Sequence, residues 1–197
     1  MQRKIKIVIP HFIKSKKVEE SDIKTIVDSM ILMAEKCREL EEERKVQIAF
    51  ALAHCQVTDK NPLRFFVFNP YNQKVIDVSD NLSPVIINPV IINRTNTTVN
   101  KVEGCLSFVG FGGADVDRYN KVTVEFEELH EKDGDFFISE KKTKNLSGKL
   151  SQIFQHEIDH FNAKYIFDKD IVEAIGDVLK KPPKKDKIVE EKKRTKK

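Results

Sequence analysis

Five consecutive residues, His156-Glu157-Ile158-Asp159-His160, constrain this chain more than any other stretch. In an α-helix, histidines four positions apart lie on one face, one turn from each other, and both imidazoles reach a single metal ion. In a strand the same spacing leaves them about 13 Å apart. The pattern therefore asks for a helix. Leu150, Ile153, Phe154 and Phe161 recur around it at helical spacing and read as packing positions. A helix packed in this way holds ligands rigidly, which a metal site requires. Glu157, beside the first histidine, is placed to act on a water as a base. Asp159 is available to a neighbouring basic group or to a ligand histidine.

A catalytic metal site takes three protein ligands and a water. The candidates for the third ligand are Cys37, Cys55, Cys105, His11, His54 and His130. Cys37 falls in a helical stretch and reads as packing. Cys105 lies in Glu103-Gly104-Cys105-Leu106-Ser107, ahead of a run containing Gly110, Gly112 and Gly113. Gly104 allows the backbone to bend or to approach a ligand closely. A thiolate with two imidazoles suits zinc or ferrous iron better than calcium or magnesium. A lone cysteine is by default a small buried hydrophobe, so these residues alone leave the third ligand open.

The rest of the chain predicts α+β architecture, with antiparallel strands packed around the helix that carries the two histidines. An opening strand is expected over 4–10 and a helix over 21–43, with Ser21 as its N-cap. Strands are expected over 63–68, over 84–92 with an edge or bulge at Pro89, and over 122–126. A hairpin turn at 132–135 returns through 136–139. The late helix is expected over 146–162 and a last helix over 171–179, stopped by Pro182-Pro183. No run approaches eighteen apolar residues, so no membrane span is expected. The first residues lack an apolar signal core, and three cysteines are too few for a disulfide framework, which together point to the cytoplasm.

The net charge of +4 is unevenly spread. Residues 180–197 carry nine Lys and one Arg against three acids, or +7, which leaves −3 on residues 1–179. We therefore divide the chain into one catalytic domain, 1–179, and a basic, flexible tail, 180–197. No aromatic interleaves with the tail's cations, so the stacking half of a single-strand nucleic-acid site is missing there.

The cysteine run and Gln155-His156-Glu157-Ile158-Asp159-His160, in this order and about fifty residues apart, resemble the peptide deformylase family. Ile87-Asn88-Pro89 resembles the family's strand before the cysteine motif. Arg118-Tyr119-Asn120-Lys121-Val122-Thr123-Val124 resembles the strand after it, in the longer-chain bacterial type. The resemblance covers roughly residues 45–168. It implies removal of the formyl group from the N-terminal formylmethionine of nascent chains. It implies Cys105, His156 and His160 as ligands of one Fe²⁺, with Zn²⁺, Ni²⁺ or Co²⁺ able to substitute. Glu157 is implied as general base and acid, with Gln56 and the Leu106 backbone N–H holding the oxyanion. Phe50, Ala51, Glu103, Gly104 and Ile153 are implied as the substrate groove. The partners implied are nascent formyl-Met peptides and, transiently, the ribosome surface, with no membrane and a monomer favoured.

The family's first motif, Gly-x-Gly-Leu-Ala-Ala-x-Gln, is matched here by Ala49-Phe50-Ala51-Leu52-Ala53-His54-Cys55-Gln56. The final Gln is kept, but both glycines are alanines and the second alanine is His54. If either glycine position requires positive φ, alanine costs roughly 1 kcal/mol or more. Three rival readings follow from the same residues. A non-catalytic, ribosome-associated relative would lack Glu157 or Gln56, and both are present. A metallopeptidase would place a His or Glu ligand downstream, where no His follows His160. A thiol hydrolase of Cys105 and His156 would need no metal.

Overall fold

In a computed structural model of the chain, residues 6–43, 45, 49–71 and 82–180 are described. The strands β1 (Ala51–Ala53), β2 (Phe65–Phe68) and the start of β3 (Val85–Arg94) are apolar without a break. The reason is that both faces of the sheet are covered there. Ala51, Ala53, Phe66, Phe68 and Ile86 pack with α2 (Gly148–Phe161), whereas Leu52, Phe65, Val67, Val85 and Ile87 pack with α1 (Ile23–Glu42). The architecture is thus α+β, as expected, with helices on both sides of an antiparallel sheet.

The hairpin β4 (Thr98–Glu103) and β5 (Ala114–Tyr119) forms a separate two-stranded sheet. The long strand β6 (Lys121–Lys132) is the spine of the main one. One edge of β6 pairs with β3. Its other edge is shared by β8 (Lys142–Ser147), from Lys121↔Ser147 to Phe126↔Lys142, and β7 (Asp135–Ile138), from Leu129↔Ile138 to Lys132↔Asp135. Asp133 and Gly134, at φ 55 and 90, make the two-residue turn between β6 and β7, for which glycine is suited. The main sheet runs β1-β2-β3-β6-β7, with β8 also on β6.

Helix α2 is seated by Phe154, whose ring meets Phe66, Phe68 and Phe126 at centroid distances of 5.3, 6.1 and 5.6 Å. Truncating a fully buried phenylalanine costs about 3–5 kcal/mol, so this cluster fixes the rotation of α2 about its axis. Leu150, Ile153, Phe154 and Phe161 are all buried, as the helical spacing requires. A last helix, α3 (Lys169–Lys180), packs Val172 and Ile175 against Phe108.

Several elements differ from expectation. Residues 6–10 form no strand; only the Val8 N–H reaches the Gln56 carbonyl, at 2.8 Å, because the chain beside it is a 3₁₀ turn, His54–Gln56, which offers no extended edge. Helix α1 is preceded by a 3₁₀ turn, Glu20–Asp22, and Asp22 rather than Ser21 is its N-cap. The Asp22 carboxylate accepts the Glu19 N–H at 3.0 Å. Pro89 does sit at a bulge, where the β3–β6 register shifts between Ile87 and Val90 and Asn88 has φ 51. Helix α2 starts two residues late because β8 claims residues up to Ser147. The last helix extends to Lys180, one residue past the domain boundary drawn at 179, and the tail from 181 lies outside the described residues.

Candidate metal centre

Three side chains from two parts of the fold converge. Cys105 ends the chain segment leaving β4 and opens a 3₁₀ turn, Leu106–Phe108. His156 and His160 project from consecutive turns of α2. One donor atom from each lies within 4.8 Å of the others, the one such group of three among the described residues. Cys105 Sγ and His160 Nε2 are 3.2 Å apart. Tetrahedral coordination at ordinary Zn–S and Zn–N lengths separates ligand atoms by about 3.5 Å. The donor set and its spacing therefore fit a thiophilic divalent ion. The other candidates are elsewhere. Cys37 is buried on α1, on the face packed against the sheet. The His11 imidazole is 3.0 Å from the Cys55 carbonyl, and His130 is 3.3 Å from Glu128.

The nitrogen of His156 that faces away from the centre is held by a carboxylate. His156 Nδ1–H donates to Glu103 at 2.9 Å, which leaves Nε2 for a metal. Glu103 is itself gripped by Arg118 through two bonds of 2.9 and 2.7 Å, and Arg118 also reaches Asp159 at 2.5 Å. Burial alone would raise the Glu103 pKa, but Arg118 and His156 outweigh it and bring it down to about 2. Arg118 is delivered by its neighbour. Gln155 receives the Tyr119 N–H at 2.9 Å and donates to the Tyr119 carbonyl at 3.0 Å, pinning the end of β5 to α2. Gly113 lets β5 lie against β4, since a Cβ there would come within 2.8 Å of the Glu103 carbonyl oxygen.

The remaining charges respond to burial. Desolvation drives the His160 pKa well below its ordinary value, and the neighbouring His156 adds to this. Desolvation would lower His156 as well, but Cys105 and Glu103 reverse it and hold His156 well above. Desolvation lifts Glu157 to about 7. The Glu157 Oε2 atom is buried without a hydrogen-bond partner, in a residue only 4% exposed.

Gln56 closes the centre from β1's side. Its Oε1 accepts the Ala53 N–H at 2.9 Å, so its amide N–H₂ turns the other way. It donates to Ser107 Oγ at 3.0 Å and lies 3.6 Å from Cys105 Sγ. The Leu106 N–H opens its 3₁₀ turn, where the first N–H groups have no partner inside the turn. These groups border a cleft of about 750 Å³ that Phe50, Ala51, Glu103, Gly104, Leu106, Ile153 and Glu157 also line. All the sequence-predicted site residues thus meet in one place. Arg118 and Ser107 also belong to the site, and the sequence alone does not mark them, since an arginine beside two acids distant in sequence carries no local signature.

The backbone of the first motif holds alanine without positive-φ strain. Among the described non-glycine residues positive φ occurs at Asn61, Asn88, Asp133 and Ala163, not at Ala49 or Ala51. His54 faces the interior rather than the centre. Its ring stacks on Phe65 at 4.7 Å and its Nδ1 accepts the Leu63 N–H at 3.0 Å. Burial lowers its pKa from 6.5 to about 4. The neutral form is thus favoured in the fold. Its stabilising contribution is complete above pH 6.5 and is lost as pH falls towards 4. The loss is of order 3 kcal/mol. Denaturant midpoints measured from pH 7 to pH 4 are expected to fall more steeply in the native chain than in His54→Phe; equal slopes would contradict this.

A family sequence model described as polypeptide deformylase matches residues 11–174. A peptide deformylase of Helicobacter pylori is 35% identical over 136 residues, 67% of this chain and 70% of that protein. A chloroplastic peptide deformylase of Oryza sativa is 30% identical over 126 residues, 62% of this chain but only 42% of the relative's length. Among solved structures, peptide deformylase from Plasmodium falciparum is 26% identical with a TM-score of 0.57, covering 86% of this chain and 90% of that one. The Thermotoga maritima peptide deformylase shares the fold at 24% identity and a TM-score of 0.60, covering 84% and 96%.

Proposed function

The chain belongs to the polypeptide deformylase family, and on that premise we propose that it hydrolyses the N-formyl group of formylmethionine at the start of nascent polypeptides, releasing formate. The observation that carries this reading is the convergence of an unpartnered buried carboxylate, an oriented carboxamide and a Cys/His/His donor set in one cleft. The ligands in this reading are Cys105, His156 and His160, and the ion is Fe²⁺, for which Zn²⁺, Ni²⁺ or Co²⁺ substitutes. When bound, the metal supplies a Lewis acid that makes water acidic enough to ionise near neutrality.

The chain's own residues do the rest. Glu157, its pKa lifted to about 7, takes a proton from water and returns it to the leaving amine. In this reading Gln56 Nε2 and the Leu106 N–H donate to the formyl oxygen as negative charge grows on it. Glu103 orients His156, and Arg118 keeps Glu103 ionised. Phe50, Ala51, Gly104 and Ile153 line the substrate groove. A formyl carbon carries only hydrogen, so a tight centre excludes longer acyl groups by size. Formate release from formyl-Met-Ala-Ser by metal-loaded protein, with none of acetate from the acetyl analogue, tests the reading. Hydrolysis of both would make it a broader N-deacylase, and cleavage of an internal peptide bond instead would replace it with a metallopeptidase.

The same reading takes residues 1–179 as one catalytic domain acting as a monomer in the cytoplasm. No helix among the described residues is long and apolar enough to cross a membrane. The basic tail, +7 on a −3 body, is assigned to transient contact with polyanionic ribosomal RNA. Deleting residues 181–197 is expected to leave formyl-peptide turnover unchanged and to weaken ribosome binding, an effect that added salt reproduces in the full chain. Equal ribosome affinity for both proteins across a salt series would remove that assignment.

A further inference from the structure

Strand β1 is the outermost strand of the main sheet on its side, and Ala49, Phe50 and Ala51 line the cleft. In an antiparallel pair the main-chain groups of successive residues point to opposite edges. The Phe50 carbonyl accepts the Asn69 N–H at 2.9 Å, so Phe50 turns its groups towards β2. Opposite Ala51, the Phe68 N–H turns away to the Pro84 carbonyl at 2.8 Å. Ala49, Ala51 and Ala53 therefore direct their N–H and C=O groups off the outer edge. An edge of this kind is a template for an extended chain.

That edge is closed on both sides of Ala51. Gln56 Oε1 takes the Ala53 N–H at 2.9 Å. Glu41 Oε1 takes the Ala49 N–H at 2.6 Å, and the Ala49 carbonyl accepts from Asn69 Nδ2 at 2.8 Å. Asn69, fully buried, also donates to Glu41 Oε1 at 3.3 Å. Glu41 stands in the last turn of α1, which holds no basic residue, and a carboxylate there opposes the helix dipole. Helix stability does not account for Glu41; its bond to Ala49 does. Among the described residues no side chain takes the Ala51 N–H or C=O.

Strand β1 leads towards Gln56, so an extended peptide whose N-terminus lies at the metal centre runs antiparallel to it. One of its residues pairs with Ala51. The residue two further on comes opposite Ala49, about 7 Å along the edge, where the N–H is already held. We propose that Glu41, supported by Asn69, is a specificity-determining positioning residue that limits main-chain pairing on this wall to Ala51. A peptide is then gripped beside its N-terminus, and its later residues go unread by β1. The inference rests on the deformylase reading for the direction in which the peptide lies, and it names how far along the chain that site reads.

The experiment uses the full chain loaded with zinc. Amide hydrogen exchange at single residues, with and without saturating Met-Ala-Ser-Ala-Ser, reads the edge directly. The Ala51 amide is expected to gain protection with the peptide, and the Ala49 amide to be protected equally in both states. In Glu41→Met, which keeps the stem and removes the acceptor, the peptide is expected to protect Ala49 as well. The kcat/KM ratio of formyl-Met-Ala-Ser-Ala-Ser to formyl-Met-Ala is expected to be about fivefold higher in Glu41→Met than in the native chain, the scale of one hydrogen bond. Glu41→Gln, whose carboxamide oxygen still accepts the Ala49 N–H, is expected to keep the native ratio. A merely loosened strand lowers both peptides together and leaves the ratio unchanged, which overturns the proposal. An Ala49 amide that gains protection in the native chain, or an Ala51 amide that gains none, overturns it too. If Glu41→Met does not fold, exchange in the native chain decides alone. If zinc is bound and no formyl peptide is cleaved, the deformylase reading fails, and exchange with the unformylated peptide still decides whether Glu41 closes the edge.

Discussion

Replacing Glu157 by glutamine is expected to lower formyl-peptide turnover by about 10²–10⁴-fold while leaving the metal in place. The substitution is isosteric and removes only the ability to carry a proton. The unpartnered Oε2 has no hydrogen bond to lose. Burying a carboxylate without a partner is costly, so the variant is also expected to unfold at the same denaturant concentration or a higher one. Turnover, metal content and unfolding midpoint measured on one preparation separate the outcomes. A near-normal rate with metal bound would remove Glu157 from the mechanism. A lost rate with lost metal would instead assign it to holding the ligands.

Replacing Arg118 by leucine is expected to damage the fold and the metal centre together. Arg118 is 6% exposed and lies between Glu103 and Asp159. Its removal leaves the buried Glu103 carboxylate without its main counter-charge, a change that costs about 3–5 kcal/mol. Glu103 then holds His156 less firmly, and metal affinity is expected to fall about 10–100-fold. The pH profile changes as well. Glu103 is held at about 2, below its ordinary 4.5. Its contribution is complete above pH 4.5 and is lost as pH falls towards 2, and that slope is expected to shrink in the variant. Arg118→Lys keeps the charge without the two-pronged grip and is expected to fall between the two. Chelator competition and denaturant unfolding read both effects. Native-like values in Arg118→Leu would show that Glu103 does not depend on it.

The ligand helix was legible because its signal is local. Two histidines one turn apart, framed by Leu150, Ile153, Phe154 and Phe161, specify both a helix and its buried face. The strands β4 and β8 were not legible. Residues Thr98–Val102 are exposed along their length, and β8 buries Leu146 alone, so neither shows the alternation that marks a half-buried strand. Cys105 stayed one candidate among several on residue chemistry alone; the fold brings the end of β4 to α2, with the donor atoms of Cys105, His156 and His160 within 4.8 Å of one another. Arg118 depends on three segments at once, β4, β5 and α2, and pairings between distant segments leave no periodic trace. His54 looked like a departure at the heart of the first motif. The 3₁₀ turn His54–Gln56 sends its ring into the core while Gln56 faces the centre.

The central claim is metal-dependent deformylation through Cys105, His156 and His160. Its most direct test is formate release from formyl-Met-Ala-Ser measured against metal content, for protein prepared without air, stripped by chelator and reloaded with Fe²⁺ or Zn²⁺. One equivalent of metal per chain is expected, with the rate rising in proportion to occupancy. Cys105→Ala is expected to hold little metal and release little formate. Full activity in metal-free protein, or full metal and no formate release in the native chain, would contradict the account.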